Sequence, residues 1–256
     1  MSSPIGVFDS GVGGLSVVRE LRRLLPQESI LYYADQAFCP YGERSHAEIQ
    51  ARATAITAEL VTAGAKLIVV ACNTATIAAV EYLRAHWPLP IVGMEPAVKP
   101  AVVATRSGIV GVLATGAALA GDKFHRLAAQ HGAGVRLITQ PCPGLVEQVE
   151  RGELNSGTTV ALVRRYVGPL VEAGADALVL GCTHYPFLRP LIEDCAGPGI
   201  TVIDTGEAVA RQARRLLERE CLLAAPSEVS GSFSWRTSGD TAVAAPIVER
   251  LLELAG

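Results

Sequence analysis

Two cysteines stand where a sequence of this kind can do chemistry. Cys72 ends the apolar run Leu67-Ile68-Val69-Val70-Ala71 and is followed by Asn73 and Thr74. Cys182 follows Ala177-Leu178-Val179-Leu180 and Gly181, and is followed by Thr183 and His184. A strand-sized apolar run that stops at a thiol and continues in polar residues puts the sulfur just past the carboxyl end of a buried strand. Open parallel sheets bind their ligands at that end. A structural cysteine behaves as a small buried hydrophobe and has no reason to be followed by such residues. Two thiols on opposite faces of one carbon can remove a proton from one side and return it on the other. One acts as thiolate and one as thiol, and the roles exchange with direction; this is the acid–base pair that racemisation needs. A thiol with a reference pKa of about 8.5 needs hydrogen bonds or positive charge to be ionised near neutral pH. A helix N-terminus after each strand would supply them.

Other residues fit the same purpose. Asp9 and Ser10 follow the first strand, so Asp9 can assist Cys72, or can serve as a turn or cap residue. His184, two residues from Cys182, can assist proton transfer there. Thr115 occupies the place of Ser10 in the second half of the chain. Gly11-Val12-Gly13-Gly14 looks like a phosphate turn but matches neither G-x-G-x-x-G nor the Walker pattern, and only Asp35 is available as a ribose-binding acid. The glycines instead suit close approach of a small anion to a helix start. No lysine has the local support of a Schiff-base site, which argues against pyridoxal phosphate, and no cofactor is expected. A thiolate metal site at Cys72, Cys182 and His184 would need the sulfurs within about 5 Å of each other. The racemase reading needs room for a carbon between them, so no metal is expected.

These residues require strands and helices in alternation. Strands are expected at residues 5–8, 30–34, 67–71, 91–93, 108–113, 135–139, 177–180 and 201–203. Helices are expected at 15–25, 47–63, 76–85, 119–129, 160–173, 207–220 and from about Thr241, with a Ser/Gly-rich stretch at 227–238. Unbroken apolar strands separated by helices mean α/β architecture with largely parallel sheets covered on both faces.

The second half repeats the first. Ala63-Gly64-Ala65, Val69 and Cys72 recur 110 residues later as Ala173-Gly174-Ala175, Val179 and Cys182; Gly6-Val7 and Gly11 recur as Gly111-Val112 and Gly116. Cys39-Pro40 matches Cys142-Pro143, and Ala97-Val98 matches Ala208-Val209. In-register repetition of this kind predicts two pseudo-symmetric lobes, each a mostly parallel sheet flanked by helices, with the active site in the cleft between them. The expected boundaries are 1–97 plus 208–256 for the first lobe, with helices returning at the C-terminal end, and 98–207 for the second.

Composition narrows the classes. The 256 residues are 50% hydrophobic and 18% charged, with net charge −3 and pI near 6.0, an ordinary globular balance with no basic excess for nucleic acid or an anionic membrane. No run approaches the ~18 apolar residues of a membrane helix, and the N-terminal residues carry no secretory pattern, so a cytoplasmic location is expected. The six cysteines, at 39, 72, 142, 182, 195 and 221, include no C-x-x-C pair. Structural zinc and disulfides are therefore not expected.

Four segments together resemble a known family. Phe8-Asp9-Ser10-Gly11-Val12-Gly13-Gly14-Leu15, Pro40-Tyr41-Gly42-Glu43-Arg44-Ser45, Ala71-Cys72-Asn73-Thr74-Ala75 and Leu180-Gly181-Cys182-Thr183-His184-Tyr185-Pro186 resemble glutamate racemases in order and spacing. The two cysteine motifs are shared by the wider aspartate/glutamate racemase group, and the first two segments favour glutamate. The resemblance covers nearly the whole chain. It implies cofactor-independent interconversion of L- and D-glutamate, with D-glutamate supplied to peptidoglycan synthesis in a bacterium. It implies Cys72 and Cys182 as catalytic acid/bases, Asp9 in support of Cys72, and Glu147 and His184 in support of Cys182. It further implies that Asp9, Ser10, Tyr41, Gly42, Asn73, Thr74, Thr115, Thr183 and His184 hold the substrate. The chain departs from the pattern at Ala118, where a second threonine is usual, and at Cys39 before Pro40.

The alternative within enzymes is an aspartate or hydantoin racemase using the same thiols. From a different class, some glutamate racemases are implicated in inhibiting DNA gyrase by binding it, so a protein-binding role is the competing reading. A small-molecule substrate, no nucleic acid and no membrane are the expected partners; monomer and homodimer both stay open.

Overall fold

The computed structural model describes residues 3–120, 126, 129–130, 134–226 and 229–254. The apolar runs become strands buried on both faces: β1 (Ile5–Asp9), β2 (Ile30–Ala34) and β3 (Leu67–Val70) have no exposed residue. In chain order they alternate with α1 (Leu15–Leu24), α2 (His46–Thr62) and α3 (Asn73–His86), and end in β4 (Ile91–Gly93). A second series follows: α4 (Val98–Ala104), β5 (Ile109–Ala114), α5 (Gly116–Ala120), β6 (Arg136–Pro141), α6 (Leu145–Glu150), α7 (Gly157–Glu172), β7 (Ala177–Leu180), α8 (Arg189–Ala196) and β8 (Thr201–Ile203). The chain then continues through α9 (Gly206–Arg219), β9 (Phe233–Thr237) and α10 (Thr241–Glu253).

The contacts divide into two compact units, one of Met1–Met94 with Gly206–Gly256 and one of Glu95–Thr205. The first holds a sheet in the order β4-β3-β1-β2-β9, the second a sheet in the order β8-β7-β5-β6, and all pairings are parallel. Apart from β9 the two sheets have one topology. The likeness extends to packing. A Cβ on Gly6 would sit 2.9 Å from Ile68 and 3.2 Å from Leu60, and one on Gly111 would sit 2.7 Å from Leu178 and 2.8 Å from Leu170. In each unit the central strand thus carries glycine where the covering helix, α2 or α7, lies closest.

Local signals start the helices as their chemistry dictates. Ser45 and Glu48 form a reciprocal capping box on α2, and Ser156 accepts the Thr159 N–H at the start of α7. Asp240 caps α10. Gly144, with φ 88°, supplies the left-handed turn into α6.

Several elements differ from expectation. Helix α3 begins at Asn73, three residues before the expected start, because Cys72 itself caps it. The Ser/Gly-rich stretch contains β9, which pairs with β2 from Ile30↔Phe233 to Ala34↔Thr237. Helices α4, α6 and α8 are additional. The expected helix at 119–129 falls mostly outside the described residues; the helix there is Gly116–Ala120. No described helix is long and apolar enough to cross a membrane.

Candidate active site

In the first unit, β1 and β3 are neighbours, and their carboxyl ends carry Asp9-Ser10 and Cys72. Cys72 is buried, and its sulfur accepts the Ala75 N–H at 3.5 Å, so the positive end of the α3 dipole lies at the thiol. The Cys72 sulfur lies 4.0 Å from Ser10 Oγ, and the Ser10 hydroxyl donates to Asp9 Oδ1 at 3.3 Å. Asp9 is fully buried; it accepts the Ser10 N–H at Oδ1 and the Gly14 N–H at Oδ2, each at 2.7 Å. Its carboxylate therefore holds the turn into α1 as well as the serine that reaches the thiol. Gly14 is fixed by this closure, since a Cβ there would meet Asp9 Cβ at 2.8 Å and Tyr32 Oη at 2.9 Å. The glycine run serves the turn around Asp9.

Asn73 and Thr74, the first residues of α3, are both buried. Both polar atoms of the Asn73 amide are shielded from solvent and have no hydrogen-bond partner among the described residues. Buried amides are nearly always paired, so an orphaned one next to the strand-end thiol points to a ligand. Tyr41 and Gly42 lie in a single 3-10 turn, Tyr41–Glu43. The Tyr41 ring is buried and its hydroxyl donates to Asp35 at 2.5 Å. Burial first, and the hydrogen bond to Asp35 second, push its ionisation well above the usual phenol range. Asp35 is itself fully buried and held by Arg52, so it is not a ribose-binding acid.

In the second unit, β7 ends at Leu180 and Cys182 follows, buried. Gly181 allows this strand end to lie close to β5, since a Cβ would be 2.9 Å from the Leu113 carbonyl. No long helix starts at Cys182. A 3-10 turn at Tyr185–Leu188 leads into α8 instead, and the polar partner is a side chain. His184 Nδ1 lies 3.6 Å from the Cys182 sulfur, and His184 Nε2 lies 2.5 Å from Glu150 Oε1. A carboxylate on Nε2 fixes the proton there and turns Nδ1 toward the thiol, where it can accept a proton from sulfur or return one. The two cysteines thus have different settings: a helix start with a serine at Cys72, a histidine–carboxylate pair at Cys182.

The carboxylate on His184 is Glu150, a residue the sequence reading did not single out. Glu147 and Glu150 both lie on α6 at i and i+3, hence on one face, but only Glu150 hydrogen-bonds to the histidine. Glu147 Oε2 is buried without a hydrogen-bond partner among the described residues. Which carboxylate of α6 reaches the histidine depends on where α6 ends relative to β7. Thr183 is buried next to Cys182, while Thr115 accepts the Ala118 N–H at 3.3 Å and so caps α5. Cys142 is a second buried thiol of this unit; burial, then the neighbouring Cys182, push it up to about 12, so it remains a thiol. Tyr185, fully buried, donates to the Cys142 carbonyl at 3.4 Å.

Comparison with known proteins agrees with this picture. The Asp/Glu/hydantoin racemase family matches residues 5–213. A glutamate racemase of Herpetosiphon aurantiacus is 59% identical over 93% of this chain and 94% of its own length, and one of Roseiflexus is 52% identical over 97% and 92%. Among solved structures, the glutamate racemase isoform RacE1 of Bacillus anthracis superposes with a TM-score of 0.88 at 32% identity, covering 98% of this chain and 94% of the other. The Escherichia coli glutamate racemase, solved with L-glutamate and the activator UDP-MurNAc-Ala, gives 0.85 at 33% identity over 97% and 95%. On its strand-end cysteines, its parallel sheets and these similarities, the chain belongs to the Asp/Glu/hydantoin racemase family.

Proposed function

We propose that the chain interconverts L- and D-glutamate, with Cys72 and Cys182 as the two acid/bases and no cofactor in the proton transfers. One sulfur, as thiolate, takes the proton from Cα; the electron pair left on carbon delocalises into the carboxylate. The other sulfur, as thiol, delivers its proton to the opposite face. The proton count is unchanged and the two sulfurs have exchanged states, which makes the enzyme ready for the reverse reaction. The Ala75 N–H and the N-terminus of α3 support the anionic form of Cys72. Ser10 and Asp9 orient the thiol, and His184 with Glu150 passes a proton to and from Cys182.

The observation that carries this reading is the occurrence of a buried cysteine with its own polar partners at the carboxyl end of an equivalent strand in each unit. Asn73 adds to it: a buried amide with one donor and one acceptor side unused suits a substrate with an ammonium and a carboxylate on one carbon. Ser10, Thr74 and Thr183, with the turn at Tyr41 and Gly42, would hold the remaining polar groups, while Thr115 acts through the start of α5. Glutamate as substrate is supported by the glutamate racemases that the chain resembles. D-glutamate made this way would enter peptidoglycan synthesis in the bacterial cytoplasm.

The test is proton NMR of the purified protein in D2O with L-glutamate, then D-glutamate, and no added cofactor. Loss of the Cα proton signal with appearance of the enantiomer is expected. Turnover of aspartate alone would reassign the substrate; turnover of neither would overturn the racemase reading.

A further inference from the structure

The loop that carries Tyr41 and Gly42 is anchored from one buried point. Arg52, on α2, grips the Asp35 carboxylate with both arms of its fork, Nε to Oδ2 at 3.0 Å and Nη2 to Oδ1 at 2.7 Å. The same Asp35 Oδ2 accepts the Tyr41 hydroxyl at 2.5 Å. The guanidinium lies over the Phe38 ring, 4.1 Å from its centroid, so it also covers the loop between Asp35 and Tyr41. The Tyr41 turn packs on α3, and Tyr41 lies in one buried cluster with Cys72 and Ala75. Asp35 is wholly buried, and neither it nor Arg52 is needed for any proton transfer described above.

We infer that Arg52 is a positioning residue for the Cys72 half of the reaction: through Asp35 it fixes the Tyr41–Gly42 turn against the start of α3, and so sets the binding geometry beside the catalytic thiol. This rests on the assignment of Cys72 as an acid/base. The contact has the form that lysine cannot reproduce, a planar fork on a carboxylate combined with stacking on an aromatic face. A point charge would neutralise Asp35 yet leave the loop free to shift.

The experiment compares Arg52→Gln, Arg52→Lys, Tyr41→Phe and the double variant Arg52→Gln/Tyr41→Phe. For Arg52→Gln we expect KM to rise about tenfold with kcat within about threefold, since the lesion displaces binding groups and leaves the thiols in place. Tyr41→Phe cuts the same link, so it should move KM in the same direction, and the double variant should lose no more than the worse single one. Arg52→Lys should not restore the wild-type KM. A second readout is independent of turnover: iodoacetamide labelling resolved by mass spectrometry, in which Cys72 should react at least about threefold faster while Cys182 keeps its rate. Losses that multiply in the double variant, full rescue by lysine, or equal acceleration at both cysteines would overturn the inference. If Arg52→Gln does not fold, Tyr41→Phe with wild-type KM and wild-type Cys72 labelling overturns it equally. Failure of the wild-type protein to racemise any amino acid would remove the proposed function, and the labelling ratio would still decide whether Arg52 positions the turn.

Discussion

Replacing Glu150 with Gln removes one charge and little else. The amide is nearly isosteric with the carboxylate and can still accept a hydrogen bond from His184 Nε2. The lost quantity is the charge-assisted part of a 2.5 Å contact whose two side chains are 2% and 15% exposed, so solvent screens it only weakly. A hydrogen bond to a charged group contributes about 1.5–3 kcal/mol and a neutral one about 0.5–1.5, so the substitution removes about 1–1.5 kcal/mol. If that amount stabilises the protonated histidine only as Cys182 gives up or takes its proton, kcat/KM falls roughly 5- to 13-fold. Circular dichroism of racemisation from each pure enantiomer measures it. The two enantiomers have equal free energy, so kcat/KM must fall by one factor in both directions, although the lesion sits at one base. Its one-sidedness appears only in kcat and KM taken separately. Glu147→Gln is the comparison, and a loss of less than about threefold is expected because its buried oxygen makes no hydrogen bond among the described residues. A Glu150→Gln enzyme within threefold of wild type, or a larger loss from Glu147→Gln, would refute the assignment of Glu150 to His184 in catalysis.

Other outcomes follow from the same structure. Cys72→Ala and Cys182→Ala should each abolish racemisation in both directions, while Cys195→Ala, at a half-buried thiol with no part in the proposed chemistry, should retain it; chiral chromatography of the products decides. Asn73→Ala should raise KM by an order of magnitude or more without lowering Tm, because removing an unpaired buried amide relieves about 1–3 kcal/mol of desolvation; a clear fall in Tm would mean that the amide supports the fold. Burial alone pushes the Asp176 carboxyl up, but Thr105 and the N–H groups of Arg106 and Ser107 outweigh that and hold it at about 2. Its folded value lies below the ordinary 3.8, so its stabilisation is full above pH 3.8 and is lost as pH falls through about 2. Urea midpoints measured from pH 5 to 2 should therefore fall less steeply in Asp176→Asn than in wild type.

What the sequence revealed, and what it concealed, follows from burial. Runs such as Leu67–Val70 and Ala177–Leu180 are buried on both faces, so every residue is apolar and the strand is plain. Strand β9 lies at a sheet edge with alternate residues exposed, and its Phe233-Ser234-Trp235-Arg236-Thr237 sits in a Ser/Gly-rich context that reads as loop. Helices α4 and α8 carry Pro100 and Pro190 in their first turns, where proline is tolerated, yet proline masks a helix in a periodicity count. The cysteines were legible because a thiol at a strand end followed by polar residues is an unusual pattern. Glu150 was not, because helical spacing offers Glu147 equally well and only the placement of α6 beside β7 separates them. Arg52 gave no signal at all: its partner Asp35 is 17 residues away, and nothing in an Ala-rich helix sets one arginine apart.

The discontinuity of the first unit has a consequence for biosynthesis. The second unit is one uninterrupted stretch, whereas the first contains Gly206–Gly256, which is translated only after the whole of the second unit. Strand β2 can pair with β1 early, but its other edge faces solvent until β9 leaves the ribosome some two hundred residues later. A bare parallel edge is a template for intermolecular pairing. The nascent first unit therefore passes through a period in which Ile30–Ala34, an apolar strand, is open to association, and ribosome stalling or truncation before Phe233 should yield aggregates where the same stop after β9 yields soluble chains.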